Sequence, residues 1–336
     1  MTRFWAFARQ ADEAMVSAAS SPTPANILVI KLGALGDFVQ ALGPMQAIRD
    51  HHAAERDGGA ELHLLTAPAF VELAEASGLF DRVIPHKRMK WSQWSKIAEF
   101  RRELFAGNYA RVYDLQTSDR SSFYFHLMGP GHKPEWSGIA KGCSHPHANP
   151  DRDRMHTVER QAEQLAMAGI DAAIPPSDLS FAAADISRLA LPSPYALLIP
   201  GGAPHRPGKR WPAERFADLA LRLSDKGLAA VLIGAAEERS LHDEIIQAAP
   251  AARSLAGETS LLELATLCRG AALAVGNDTG PMHMAAISGI PTLVLYSHDS
   301  DPALCAQRGP AVSILRERSL ADLSVDAVIA ALPPHA

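Results

Sequence analysis

Two doubly wound α/β domains in tandem are the fold class this sequence predicts, and three observations carry it. Short apolar runs alternate with stretches of helical periodicity over most of the chain, as in parallel α/β proteins. The alternation restarts after the Pro- and Ala-rich passage 172–194, where "YALLIPGGA" (195–203) repeats the strand-into-glycine-loop form of "NILVIKLG" (26–33). A length of 336 residues also suits about two domains, each able to bury its own core. The expected division is an extension over 1–25, a first Rossmann-like domain over 26–185 and a second over 186–336.

In the first half, helix "FVQALGPMQAIRDHH" (38–52) follows the opening strand. Strand "ELHLLTAP" (61–68), helix "FVELAEASGLF" (70–80), strand "RVIPH" (82–86), helix "WSKIAEFRRELFAG" (94–107) and strand "RVYDLQ" (111–116) come next. Dense in Gly, Pro, His and charge, 129–155 reads as a long loop before helix "TVERQAEQLAMAGI" (157–170). The second half runs through helix 213–227, strand 229–235, helices 237–249 and 260–271, strand 273–276, a short helix and strand 292–297. Such sheets bind ligands beyond the carboxyl ends of their strands, and two facing sheets leave a cleft between them.

Composition narrows the function. With 47% hydrophobic and 21% charged residues the chain is an ordinary globular protein, and its net charge of −5 argues against a general nucleic-acid binder. Three widely spaced cysteines (Cys143, Cys268, Cys305) form neither a metal pair nor a disulfide framework, which points to a reducing cytoplasm. No apolar run approaches the ~20 residues that span a bilayer. The first 26 residues lack the apolar core of a secretory signal. Phe4, Trp5 and Phe7 beside Arg3 and Arg9 suit either weak membrane-surface contact or a tail docked on the body. Fourteen histidines are present, but no HExxH or paired Cys/His spacing accompanies them, so no catalytic metal is expected.

Three stretches carry chemistry. "KLGALGDF" (31–38) ends the first strand without the glycine fingerprint of a dinucleotide site or the GKS/T ending of a phosphate loop. It puts Asp37 where the helix begins, as an N-cap or as a general base. "GGAPHRPGKRWP" (201–212) combines Gly201 and Gly202 with Lys209 and Arg210 just before a helix, a set that suits a diphosphate or a solvated basic loop. "GNDTGPMHMAAISGIP" (276–291) crowds Asn277, Asp278, Thr279 and Gly280 at a helix start, more than capping needs, as an anion site would.

In these blocks, and in "DRMHTVERQAEQLAMAGI" (153–170), the sequence resembles the family 9 glycosyltransferases, the lipopolysaccharide heptosyltransferases. The likeness covers most of 26–310. It implies a GT-B fold and an inverting, metal-independent transfer of a sugar, heptose from ADP-heptose, to a lipid-linked saccharide such as a lipopolysaccharide core. No cofactor is implied. By the resemblance Asp37 is the base and Lys209 contacts the donor's phosphate and sugar. Gly201, Gly202, Asp278, Thr279 and Gly280 line the donor side with His283 nearby, and Glu237 or Glu238 meets the ribose. Gly36 falls on the acceptor side. Basic residues at loops of the first half, Lys87, Arg88 and Lys90 and then Arg120, with Trp91 and Trp94 beside the first group, suit an acidic acceptor. That places the enzyme in the cytoplasm, peripherally at the inner face of the membrane. A nucleotide-sugar epimerase of related fold and a non-catalytic sugar-nucleotide-binding assembly protein are the alternatives.

Overall fold

The computed structural model describes residues 25–89, 92–129, 133–203 and 205–332. Residues 1–24 of the extension, with Lys90 and Trp91, therefore lie outside the described residues. The first sheet comprises β1 (Asn26–Ile30), β2 (Leu62–Thr66), β3 (Arg82–Pro85), β4 (Tyr109–Asp114), β5 (Glu135–Gly138) and β6 (His145–Pro146), ordered β3-β2-β1-β4-β5-β6. The second comprises β7 (Tyr195–Ile199), β8 (Ala229–Leu232), β9 (Arg253–Ser254), β10 (Leu273–Asn277), β11 (Thr292–Tyr296) and β12 (Val312–Arg316), ordered β12-β11-β10-β7-β8-β9. All pairings are parallel. Counted within its own half, each sheet has the strand order 3-2-1-4-5-6, so the repeat seen in the sequence is a repeat of topology.

The central strands read as unbroken apolar runs because helices cover both faces. β7 and β11 are buried at every position and β1 at all but its first. One apolar layer runs from Ile27 and Val29 through Phe38, Val39, Leu73 and Leu264 to Met282 and Val294, so the two halves share a core where they meet.

Some expectations need correction. The stretch 129–155 is not a single loop but carries β5 and β6. Trp136 on β5 is fully buried and stacks edge-on against Phe125, which fixes a strand too short and too Gly-rich to show periodicity. The expected helix over 38–52 starts earlier and divides into Leu35–Gln40 and Leu42–His51. Pro44, in the first turn of the second piece, has no N–H to continue the first. Among the described residues no helix is long and apolar enough to cross a membrane.

Candidate active site between the two sheets

Asn277, the last residue of β10, is fully buried and works as a stitch. Its Oδ1 accepts from the Trp211 amide at 3.0 Å, and its Nδ2 donates to the Pro200 and Gly201 carbonyls at 2.8 and 3.1 Å. The loops after β7 and β10, which flank the reversal of strand order, are thereby held side by side.

Asp278 points back across those loops. Its Oδ2 accepts from Lys209 Nζ at 2.7 Å and Ser300 Oγ at 2.6 Å, and its Oδ1 accepts from Gln307 Nε2 at 3.1 Å. Burial alone would push this carboxyl up, but the Lys209 and Ser300 hydrogen bonds and the Lys209 charge hold it below the usual range. Asp278 therefore does not cap the helix Gly280–Ile287. Thr279 occupies the N-cap position without a side-chain cap bond, and its Oγ1 is buried with no partner among the described residues.

Gln307 carries the network onward. Its Oε1 accepts from Tyr296 OH at 2.9 Å and its Nε2 lies 3.2 Å from His283 Nε2. Burial pushes the His283 imidazole down to about 4, against the raising effect of Asp278 and Asp37. It is neutral at pH 7, so its Nε2 accepts from Gln307. The His283 ring lies where a Cβ on Gly36 would be, 2.6 Å from its Cδ2. A Cβ on Gly280 would in turn meet Leu35 Cβ at 2.7 Å. The helices after β1 and β10 approach this closely because each starts on a glycine side facing the other.

Asp37 stands in the first turn of helix Leu35–Gln40. Its Oδ2 accepts from the Ala34 amide at 3.1 Å, a capping bond that engages one carboxylate oxygen. Glu238 bridges the second half's glycine loops, accepting from the Gly202 amide through Oε1 and the Ala235 amide through Oε2, each at 2.9 Å.

A cavity of about 590 Å³ lies between the halves. Ten of the residues singled out in the sequence line it: Gly36 and Asp37 from the first half, and Gly201, Gly202, Lys209, Glu238, Asp278, Thr279, Gly280 and His283 from the second. Glu237, next to Glu238 in the chain, is exposed and outside the lining, so the two candidate acids are separated by geometry. Lys87 and Arg88 are exposed after β3, and Arg120 sits in the first turn of helix Asp119–Leu127 near His86 and Tyr124; none of the three lines the cavity. Trp94 is exposed. Among the described residues no group of His, Cys, Asp or Glu is placed to hold a metal ion. Sequence reasoning passed over Ser300 and Gln307 because their tie to Asp278 spans 22 and 29 residues, and no local pattern signals it.

Comparison with known proteins places this geometry. A 104-residue stretch is 38% identical to lipopolysaccharide heptosyltransferase 2 of Escherichia coli (strain K12), spanning 30% of this chain and 30% of that protein. Over 298 residues, 84% of this chain and 91% of the relative, it is 26% identical to lipopolysaccharide heptosyltransferase 1 of Salmonella typhimurium. The fold matches the structure of Escherichia coli ADP-heptose lps heptosyltransferase II with a TM-score of 0.75 at 22% identity, covering 91% of this chain and 96% of that one. The model of glycosyltransferase family 9 (heptosyltransferase) matches residues 97–319. With two facing sheets of one strand order and that match over most of its length, the chain belongs to glycosyltransferase family 9.

Proposed function

We propose that the protein transfers heptose from ADP-heptose to a saccharide of the lipopolysaccharide core. The observation that carries this reading is that Asp37 of one half and Lys209, Asp278 and Thr279 of the other line a single cavity. The relatives named above, heptosyltransferases acting in lipopolysaccharide synthesis, supply the sugar and the acceptor class.

On this reading residues 186–336 hold the donor and 26–185 the acceptor. The amides at the start of helix Gly280–Ile287 and the Lys209 ammonium take the diphosphate, since a helix N-terminus and a cation both favour negative charge. Asp278 takes sugar hydroxyls and Glu238 the ribose. The free oxygen of Asp37 accepts the proton of the attacking acceptor hydroxyl. The acceptor's hydroxyl oxygen, its proton passed to Asp37, bonds to the sugar's anomeric carbon while the bond from that carbon to the diphosphate oxygen breaks, in one displacement that inverts configuration. The charge growing on the leaving diphosphate is met by Lys209 and the helix amides without a metal. The lipid-linked acceptor is reached by peripheral contact at the inner face of the membrane.

The test is incubation of the full chain with ADP-heptose and a heptose-free core oligosaccharide, with products followed by mass. Transfer of one heptose is expected. Asp37→Ala should slow turnover by roughly 10²–10⁴-fold, the scale of a lost general base, with ADP affinity little changed. Wild-type turnover in that variant would reduce Asp37 to a helix cap.

A further inference from the structure

The segment 300–308, between β11 and β12, touches both halves at once. Its side chains serve the second half. Ser300 Oγ donates to Asp278 Oδ2 at 2.6 Å, and Gln307 Nε2 donates to Asp278 Oδ1 at 3.1 Å and to His283 Nε2 at 3.2 Å. Gln307 is 3% exposed, and its Oε1 accepts from Tyr296 OH at 2.9 Å. Both hydrogens and the oxygen of its amide are therefore engaged. Lys209 and Ser300 hold Asp278 by Oδ2, whereas Gln307 holds it by Oδ1 and so fixes which way the second oxygen points.

The backbone of the same segment is gripped by the first half. The Ala306 carbonyl accepts from Gln40 Nε2 at 3.0 Å and from His156 Nε2 at 2.9 Å, and the Leu304 carbonyl accepts from Thr157 Oγ1 at 3.3 Å. A carbonyl can only accept, so the His156 ring carries a proton on Nε2, and its Nδ1 accepts from the Val158 amide at 3.2 Å. Arg308 donates to Glu159 at 2.7 Å, but both side chains are half exposed and this bond contributes little. Gln40, His156 and Thr157 are buried, which keeps water from replacing them. Gln40 ends the helix Leu35–Gln40, three residues after Asp37. Between that helix and the Asp278 carboxylate stands a single step of chain, from the carbonyl of Ala306 to the side chain of Gln307.

We infer that Gln307 is a positioning residue for the sugar end of the donor: it fixes Asp278 Oδ1 and the His283 ring, and the first half's grip on Leu304 and Ala306 keeps it in place. The inference rests on the transfer reading above, which makes Asp278 a sugar contact. Parting the halves breaks the bonds to Ala306 and leaves Gln307 on a segment held from one side only. The grip on the donor sugar is thereby tied to the docking of the helix that carries Asp37, and the sugar is held firmly only when the proposed base is in reach.

The test compares ADP with ADP-heptose by calorimetry on the full chain, without acceptor. Gln307→Leu keeps the bulk and removes the amide. It should weaken ADP-heptose binding by roughly 10- to 100-fold, the scale of a lost hydrogen bond to a charged group. ADP lacks the sugar and should bind as before. His156 lies outside the cavity lining, yet His156→Leu should produce the same selective loss in smaller measure. His156→Gln, which keeps a terminal N–H donor, should restore part of it. Added to Gln307→Leu, His156→Leu should cost nothing more, because the two act through one segment. Should Gln307→Leu lose ADP binding through misfolding, Tyr296→Phe supplies the reading, since it unties the Gln307 carbonyl and keeps the ring; the same selective loss is expected.

Equal losses for ADP and ADP-heptose, or no loss for either, would overturn the positioning role, and losses that simply add in the double variant would overturn the link to His156. In the kinetic assay, heptose transfer with an ADP-heptose KM indifferent to Gln307 and His156 removes this inference alone. A wild type that binds ADP but neither binds ADP-heptose nor transfers heptose removes the transfer reading, and this inference with it.

Discussion

Lys209 and Asp278 form a mostly buried ion pair in the cavity wall, 2.7 Å apart with side chains 13% and 8% exposed. A buried ion pair contributes little by itself, but removing one partner strands the other charge. Lys209→Ala should therefore act twice. Losing a charge-assisted bond to the diphosphate should cost about 1.5–3 kcal/mol of ADP affinity, and the stranded Asp278 should lower the melting temperature. Calorimetry with unchanged ADP affinity would reject Lys209 as a phosphate contact whatever the melting curve does. At this scale the sequence was informative where function sits at a strand end. Asp278, Asp37 and Lys209 lie one, seven and ten residues past the ends of β10, β1 and β7, so their place beyond the sheet was readable. Ser300 and Gln307 acquire meaning only when distant segments meet, and nothing in their neighbours along the chain announces it.

The helices Leu35–Gln40 and Gly280–Ile287 meet glycine to side chain, and this contact joins the proposed base to the loops proposed to hold the donor. A methyl at Gly36 would lie 2.6 Å from the His283 ring. Overpacking of this kind costs typically 1–3 kcal/mol, so Gly36→Ala should lower the melting temperature by several degrees and slow turnover together. Adding His283→Ala should recover much of the stability, because residues in contact are not additive. A double variant no more stable than the sum of the two singles would show that the ring is not what the methyl strikes. Element by element, the sequence was legible where strands are buried on both faces, as in "NILVI" and "YALLI". It was opaque at the sheet margins. β12 is largely exposed and β9 has two residues, too little for a periodic signal. Helix Asp119–Leu127 escaped notice because its start is marked only by the Ser118–Ser121 capping pair.

At the scale of the whole molecule, buried histidines set the response to acid. Burial pushes His86 and His283 down to about 4, and chiefly burial lowers His52, His156 and His242. The unfolded chain protonates such groups near pH 6.5 while the folded protein refuses the proton. Stability is therefore full above about 6.5 and is lost as pH falls toward 4. Asp114 works the other way: burial raises its carboxyl to about 6, so the fold gains some stability between that pH and the ordinary carboxylate value. The histidines outnumber it. From pH 7 to pH 5 each of His86 and His283 should cost about 2 kcal/mol. Urea denaturation at the two pH values checks this, and His86→Gln should make the fall shallower by about that amount. A slope unaltered by the substitution would show that His86 titrates normally.

The strand order used twice has an electrical consequence. Segments in equivalent positions, leaving β1 and leaving β7, carry an acid in one half and a lysine in the other. Under the proposed chemistry Asp37 begins charged and ends neutral, while the diphosphate on the Lys209 side ends more negative. One turnover thus carries about one unit of negative charge from the first sheet to the second. The first half, once Asp37 is neutral, becomes more positive as its counterpart becomes more negative. The two halves consequently attract each other more strongly around products than around substrates, and the catalytic step itself tightens the cleft from which ADP must leave.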